Sequence, residues 1–140
     1  MGEQNAQPEP LALALIVADD VYVCPATQKK SLLGMFSSIH PRSFPAVLGR
    51  FVVYAAMTDG YGNVPIQMRL VDAEELRGPL LDLSAECQFP DPRSVGELIW
   101  QSRGVSFPEP GEYRLQLFGC GALLMERRIV VGKTLEAVDE

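Results

Sequence analysis

A single histidine, His40, three cysteines, Cys24, Cys87 and Cys120, and two adjacent acids, Asp19 and Asp20, are the residues whose types could do chemistry. An imidazole titrates near neutral pH and serves as a base or a metal ligand. Metal centres, however, gather several His, Cys or carboxylate ligands at fixed spacing, and no H-x-x-x-H or C-x-x-C pattern stands beside His40. It reads as a strand end before Pro41. A thiolate–imidazole pair between Cys24 and His40 would supply a nucleophile. If the chain turns near Thr27, those two residues sit at opposite ends of a hairpin, roughly 30 Å apart along about ten residues of strand. Asp19 and Asp20, joined by Asp59 or Asp91 from loops, could collect the six to eight oxygens that calcium takes. Neighbours on a strand point to opposite faces, so the expected role is structural. One carboxylate would bond to backbone or to an arginine such as Arg42, and the other would face water or mark a bulge. There is no Gly-rich phosphate loop and no G-x-S-x-G. No catalytic residue, cofactor site or metal site is assigned, with Asp19 and Asp20 as the weak metal candidates.

What must position any such residue is a run of strands. FPEPGEYRLQLFGCGALLMERRIVV, residues 107–131, carries Pro108, Pro110 and Gly111 at a corner, then Tyr113, Leu115 and Leu117 on one face against Glu112, Arg114 and Gln116 on the other. Gly119 and Gly121 let the chain reverse. Tyr113, two residues after Gly111 at a strand entrance, is similar to the tyrosine corner of immunoglobulin-like sandwiches, whose hydroxyl bonds back to upstream backbone. Upstream, Leu11–Val23 reads as a core strand, followed by a hairpin turn at Pro25 to Lys30 into a strand over Ser31–Ile39. HPRSFPAVLGR reads as a crossover loop between sheets. Arg50–Thr58, the turn DGYGN and Val64–Leu70 read as a hairpin, with Pro65 at an edge or bulge because it cannot donate to a ladder. DAEELRGP is one helical turn or an extended loop. Leu81–Phe89 alternates cleanly and puts Cys87 on its apolar face, where a free thiol acts as a small hydrophobe. Ser94 and Glu97 have capping-box spacing, yet Gly96 and Gly104 weaken a helix there. A strand from Glu97 to Phe107 is preferred, with Trp100 as its inward anchor.

About seven or eight strands, almost no helix and no repeat point to an all-β, antiparallel, immunoglobulin-like sandwich over residues 11–132. Residues 1–10 read as a disordered segment, and 133–140 as a frayed acidic tail. A closed barrel is the second architecture. At 140 residues and 47% hydrophobic content, one domain could bury roughly two-thirds of its unfolded surface.

Net charge is −6, and positive charges are scattered except for Lys29–Lys30 and Arg127–Arg128; without a continuous basic stripe, nucleic acid and anionic membranes are not expected partners. The first ten residues hold Glu3 and Glu9 but no Lys or Arg, the wrong start for a secretory signal. The apolar run Leu11–Ala18 is far shorter than a bilayer span. Three widely spaced cysteines make no disulfide framework, and a reducing cytoplasm is the expected compartment.

The strings ADDVYVCPATQKKSLLGMFSSIHPRSFPA and FPEPGEYRLQLFGCGALLMERRIVV resemble those of a family of small, uncharacterised bacterial proteins predicted to be immunoglobulin-like sandwiches. The resemblance spans nearly all of residues 11–132. It implies that fold and assigns no activity. Cys24 stands where an acidic or polar residue is expected, and Gln28 where a turn glycine is common.

What remains is surface. His40, Arg42, Phe44, Tyr61 and Phe118 are the candidate interaction residues, since aromatics on or beside loops are enriched in protein contacts. They also serve often as local packing plugs. Tyr113, Trp100 and Gly111 are read as structural. The expected function is a non-catalytic protein-interaction or adaptor module in the bacterial cytoplasm with an unknown protein partner. The alternative is a small-molecule or calcium-type metal-binding module around Asp19 and Asp20.

Overall fold

Alternation decides which face each strand buries. Val64, Ile66, Met68 and Leu70 are buried while Pro65 and its polar neighbours turn outward, and Tyr113, Leu115 and Leu117 repeat the pattern. The computed structural model describes residues 9–132, and all regular structure in that span is strand. In chain order the strands are β1 Leu11–Val23, β2 Lys30–Met35, β3 Ser38–Ile39, β4 Ala46–Thr58, β5 Gly62–Asp72, β6 Leu81–Phe89, β7 Gly96–Phe107, β8 Gly111–Gly119 and β9 Ala122–Val131. They form a four-stranded sheet, β2-β1-β4-β7, and a five-stranded sheet, β3-β9-β8-β5-β6. Pairing is antiparallel throughout, except that β3 lies parallel to β9. The fold is an immunoglobulin-like β-sandwich, with its opening segment shared between the sheets through β1 and β3.

The core lies between the sheets. Phe51, Val53, Ala55 and Met57 of β4 meet the apolar sides of β5 and β8. Full burial of a Leu or Phe in such a layer contributes about 1.5–3 kcal/mol. At the margin Arg127 of β9 donates from Nη1 to the Leu15 carbonyl at 2.8 Å, which ties the open side of β1 to the opposite sheet.

Several expectations change. The chain does not fold β4 back on β5 as a hairpin: Asp59–Tyr61 carries it from one sheet to the other, with Asp59 N–H on the Pro92 carbonyl at 2.8 Å. Both strands have a core side, and two such sides meet by facing each other, which alternation alone cannot distinguish from lying side by side. The Ser31–Ile39 strand divides at Phe36 and Ser37 into β2 and β3, one in each sheet. The crossover ends at Pro45, after which AVLGR is already β4. Pro65 sits in an interior strand. Its carbonyl accepts from Cys120 N–H at 3.0 Å, so its nitrogen also faces β8, at the point where that strand turns away and no donor is needed. Residues 73–80 form a loop without a helix, and β7 is the preferred strand. Trp100 packs inward against the core but stays partly exposed because β7 is an edge. Cys87 is buried as its position predicts. The expected disordered start overlaps the described residues only at Glu9 and Pro10, and Pro10 is buried; the 133–140 tail lies outside them.

Two strands change phase together. Gly49 falls opposite Gly104 between the pairs Leu48↔Val105 and Arg50↔Arg103, and Gly104 has φ +70°. Leu48 and Phe51 therefore both reach the core, as do Trp100 and Val105.

The closing hairpin turns on Cys120 at φ 53° and Gly121 at φ 82°, a type I′ turn. Gly119 has a different job: an added Cβ would stand 2.7 Å from Leu124 Cδ1 and 3.2 Å from the Pro10 ring. At the corner, Tyr113 Oη donates to the Glu109 carbonyl at 2.6 Å, and its ring stands edge-on to Phe107, centroids 5.0 Å apart at 87°. Gly111, at φ 152°, supplies the backbone that admits this approach. Tyr113→Phe keeps the ring contact and loses the bond. It is expected to cost about 0.5–1.5 kcal/mol in chemical denaturation, and an unchanged midpoint would show that the hydroxyl holds nothing.

Candidate interaction surface

The apolar run of β1 is interrupted by Asp19 and Asp20, and there the strand leaves the body of its sheet. Ladder pairing with β4 ends at Ala18↔Val52, while pairing with β2 continues through Val23↔Lys30. Gly34, at φ 72°, lies across from Asp19 at this bend. Asp20 Oδ1 accepts from Val21 N–H and from Arg50 Nη2, each at 2.7 Å, so the arginine partner is Arg50 rather than the expected Arg42. The turn beyond closes with Gln28 N–H on the Cys24 carbonyl at 2.7 Å. Gln28 takes φ 62°, the conformation a glycine would occupy easily, and its side-chain amide donates to the Pro25 carbonyl at 3.2 Å.

The arm so formed folds back over the outer face of the four-stranded sheet. Lys30 Nζ meets Glu97 Oε1 at 2.6 Å, and Tyr54 Oη donates to the other Glu97 oxygen. Along the ladders Glu97 belongs beside Ala56 and Ala14, whereas Lys30 belongs beside Val23, about nine positions or roughly 30 Å further along β1. Two side chains span less than half that distance, so only a folded-back arm brings them together. Ala18, Val52 and Ala56 agree: they are at most 5% exposed, yet none belongs to the core between the sheets. On the arm Val21, Lys30 and Leu32 are half-buried, while Tyr22 and Leu33 are 53% and 50% exposed, next to Met35 at 64%.

The contact polarises its members. Hydrogen bonds from Lys30 and Tyr54 hold the Glu97 carboxyl below its ordinary range. Desolvation, then the neighbouring carboxylate, pushes the Tyr54 phenol up to about 12. Cys24 sits in the arm's turn, where the Thr27 hydroxyl and the backbone of Thr27 and Ala26 lower its thiol pKa. Burial raises Cys87 and Cys120.

The residues singled out from sequence are not gathered in one place. His40 and Arg42 are exposed on the 40–45 loop, where Phe44 packs half-buried against the core. Tyr61 is 62% exposed beyond the far end of β4, and Phe118 lies on the outer face of the five-stranded sheet opposite Gln67. Cys24 closes the arm's turn and His40 follows β3 in the opposite sheet. Asp19 is exposed and Asp20 is engaged by Arg50; among the described residues no three His, Cys, Asp or Glu gather as metal ligands. Tyr22, Leu33 and Met35 were not singled out from sequence. Their signal was the acid pair, which marks where the strand departs.

Glu97 has a depressed folded-state pKa, so its contribution is present above the ordinary glutamate range and lost as pH falls through the folded value. Glu97→Gln is expected to melt below the parent protein at neutral pH, with the gap closing toward acid; a gap constant with pH removes the role of the charge. Tyr54 has the opposite sign, with stability lost as pH rises from about 10 to about 12. At neutral pH Cys24 is expected to alkylate before Cys120, and Cys87 last. Mass spectrometry of the labelled peptides reads the order, and equal rates for Cys24 and Cys120 would contradict the hydrogen-bond effect.

No curated protein matches the sequence. An immunoglobulin-like protein from Pseudomonas aeruginosa superposes with a TM-score of 0.39 at 18% identity, over 91% of this chain and 99% of that one. A β-glucosidase from Listeria innocua, solved with isofagomine, gives a TM-score of 0.42 at 11% identity over 88% of this chain, which spans 17% of the enzyme. Such low identity carries no activity across, and the fold rests on the sheet order itself. Among described residues no helix is long and apolar enough to cross a membrane. The sequence pattern of the family of unknown function DUF6941 matches residues 13–132, and the chain belongs to that family.

Proposed function

We propose that the protein is a non-catalytic interaction module of the bacterial cytoplasm, with the β1–β2 arm as its contact surface. The observation that carries this reading is the exposure of Tyr22, Leu33 and Met35 together on an arm whose outer strand pairs on one side only. Contiguous exposed apolar patches mark contact sites, whereas apolar residues scattered singly do not. Tyrosine and methionine are enriched in such contacts. Asp20 is taken by Arg50, Cys24 lies in the arm's turn, and His40 lies in the loop after β3 of the other sheet.

Tyr22→Ser combined with Leu33→Ser removes the apolar surface without touching the Lys30–Glu97 contact. Affinity capture from native lysate is expected to recover a stoichiometric partner with the parent chain and with Leu76→Ser, a control at another exposed leucine. The double arm variant is expected to lose it. Capture that survives in the arm variant would move the surface elsewhere.

A further inference from the structure

A strand that hydrogen-bonds on one side only will accept another extended chain unless something prevents it. Among the described residues the unpaired stretches of β1 and β9 meet at the Arg127–Leu15 contact, and of the four strands that end the sheets three have such protection. β3 is two residues long; β6 carries Glu86, which makes no ion pair among the described residues; β7 carries Arg103, likewise without one, and changes phase at Gly104. The fourth, β2, reads KSLLGM, and its one charge, Lys30, is held by Glu97.

The groups β2 offers can be assigned. Cys24 N–H donates to the Lys29 carbonyl at 2.9 Å, so the backbone of Lys29 turns toward β1. Alternation then turns the N–H and C=O of Lys30 and Leu32 to the free side. Charges flank this stretch. At one end the Asp19 carboxylate lies over Gly34, where an added Cβ would meet Oδ2 at 2.5 Å. At the other stands Lys29. Among the described residues neither makes an ion pair. An edge that is acidic at one end and basic at the other is complementary to itself when reversed.

We propose that β2 pairs antiparallel with β2 of a second copy of this chain, about a twofold axis at Ser31, joining two four-stranded sheets into one. The proposal rests on the arm being an interaction surface and names its partner. In this register Lys30 of each copy pairs with Leu32 of the other, for about four backbone hydrogen bonds. Lys29 comes opposite Leu33 of the second copy, beside the Asp19 that overlies Gly34. Because the axis runs through the sheet, the exposed Tyr22 and Leu33 of both copies fall on the same face.

Light scattering on the full chain across a dilution series reads the result. The mass is expected to double with concentration. Lys29→Asp and Asp19→Lys each place like charges together and are expected to weaken self-association by about tenfold. The double reversal restores it, which a folding defect cannot do. A monomer at every concentration overturns the pairing, and so does a dimer indifferent to both reversals. A monomeric parent chain that still captures a partner through Tyr22 and Leu33 overturns only the pairing. A monomer whose capture survives Tyr22→Ser with Leu33→Ser overturns the surface as well.

Discussion

A β-strand can turn only alternate residues toward a core, and a sheet's apolar side keeps water out only when a second sheet covers it. That constraint sets the path of this chain. β4 and β5 follow one another in sequence and carry two of the most apolar sides, so they lie in opposite sheets instead of forming a ladder. The tyrosine corner, the type I′ turn and the Arg127 contact to the Leu15 carbonyl operate at the margins of this layer. Each satisfies a polar group where the chain enters or leaves it.

Alternation made β5, β6 and β8 readable from sequence, and the Gly111–Tyr113 spacing made the corner readable. These are local signals that the tertiary structure leaves intact. The division of Ser31–Ile39 was hidden because both halves are extended and only their partners differ. Pro65 misled for a related reason: proline excludes an interior ladder position only where a donor is required. The surface was the least readable part. Exposure of Tyr22 and Leu33 depends on the direction in which the arm bends, and that direction is visible only in the meeting of Lys30, Glu97 and Tyr54. Aromatic residues near loops drew attention to Phe44, which packs against the core.

The arm also shows how a sheet can cover its second face without a helix. Val52 and Ala18 point away from the core and would otherwise face water, but small side chains on the sheet allow a hairpin to lie close above them. A partly exposed ion pair contributes up to about 1 kcal/mol, so area buried beneath the arm must supply much of what holds it down. The lysine, carboxylate and phenol set its position more than its strength.

Gly49 and Gly104 face each other where two neighbouring strands exchange inward and outward residues at the same level. An insertion or deletion in β4 alone would turn one strand's apolar side outward while its neighbour stayed in place. Length changes at this level are therefore tolerable only in pairs. Across related sequences, gaps in the two strands should be gained and lost together, although the positions lie more than fifty residues apart in the chain.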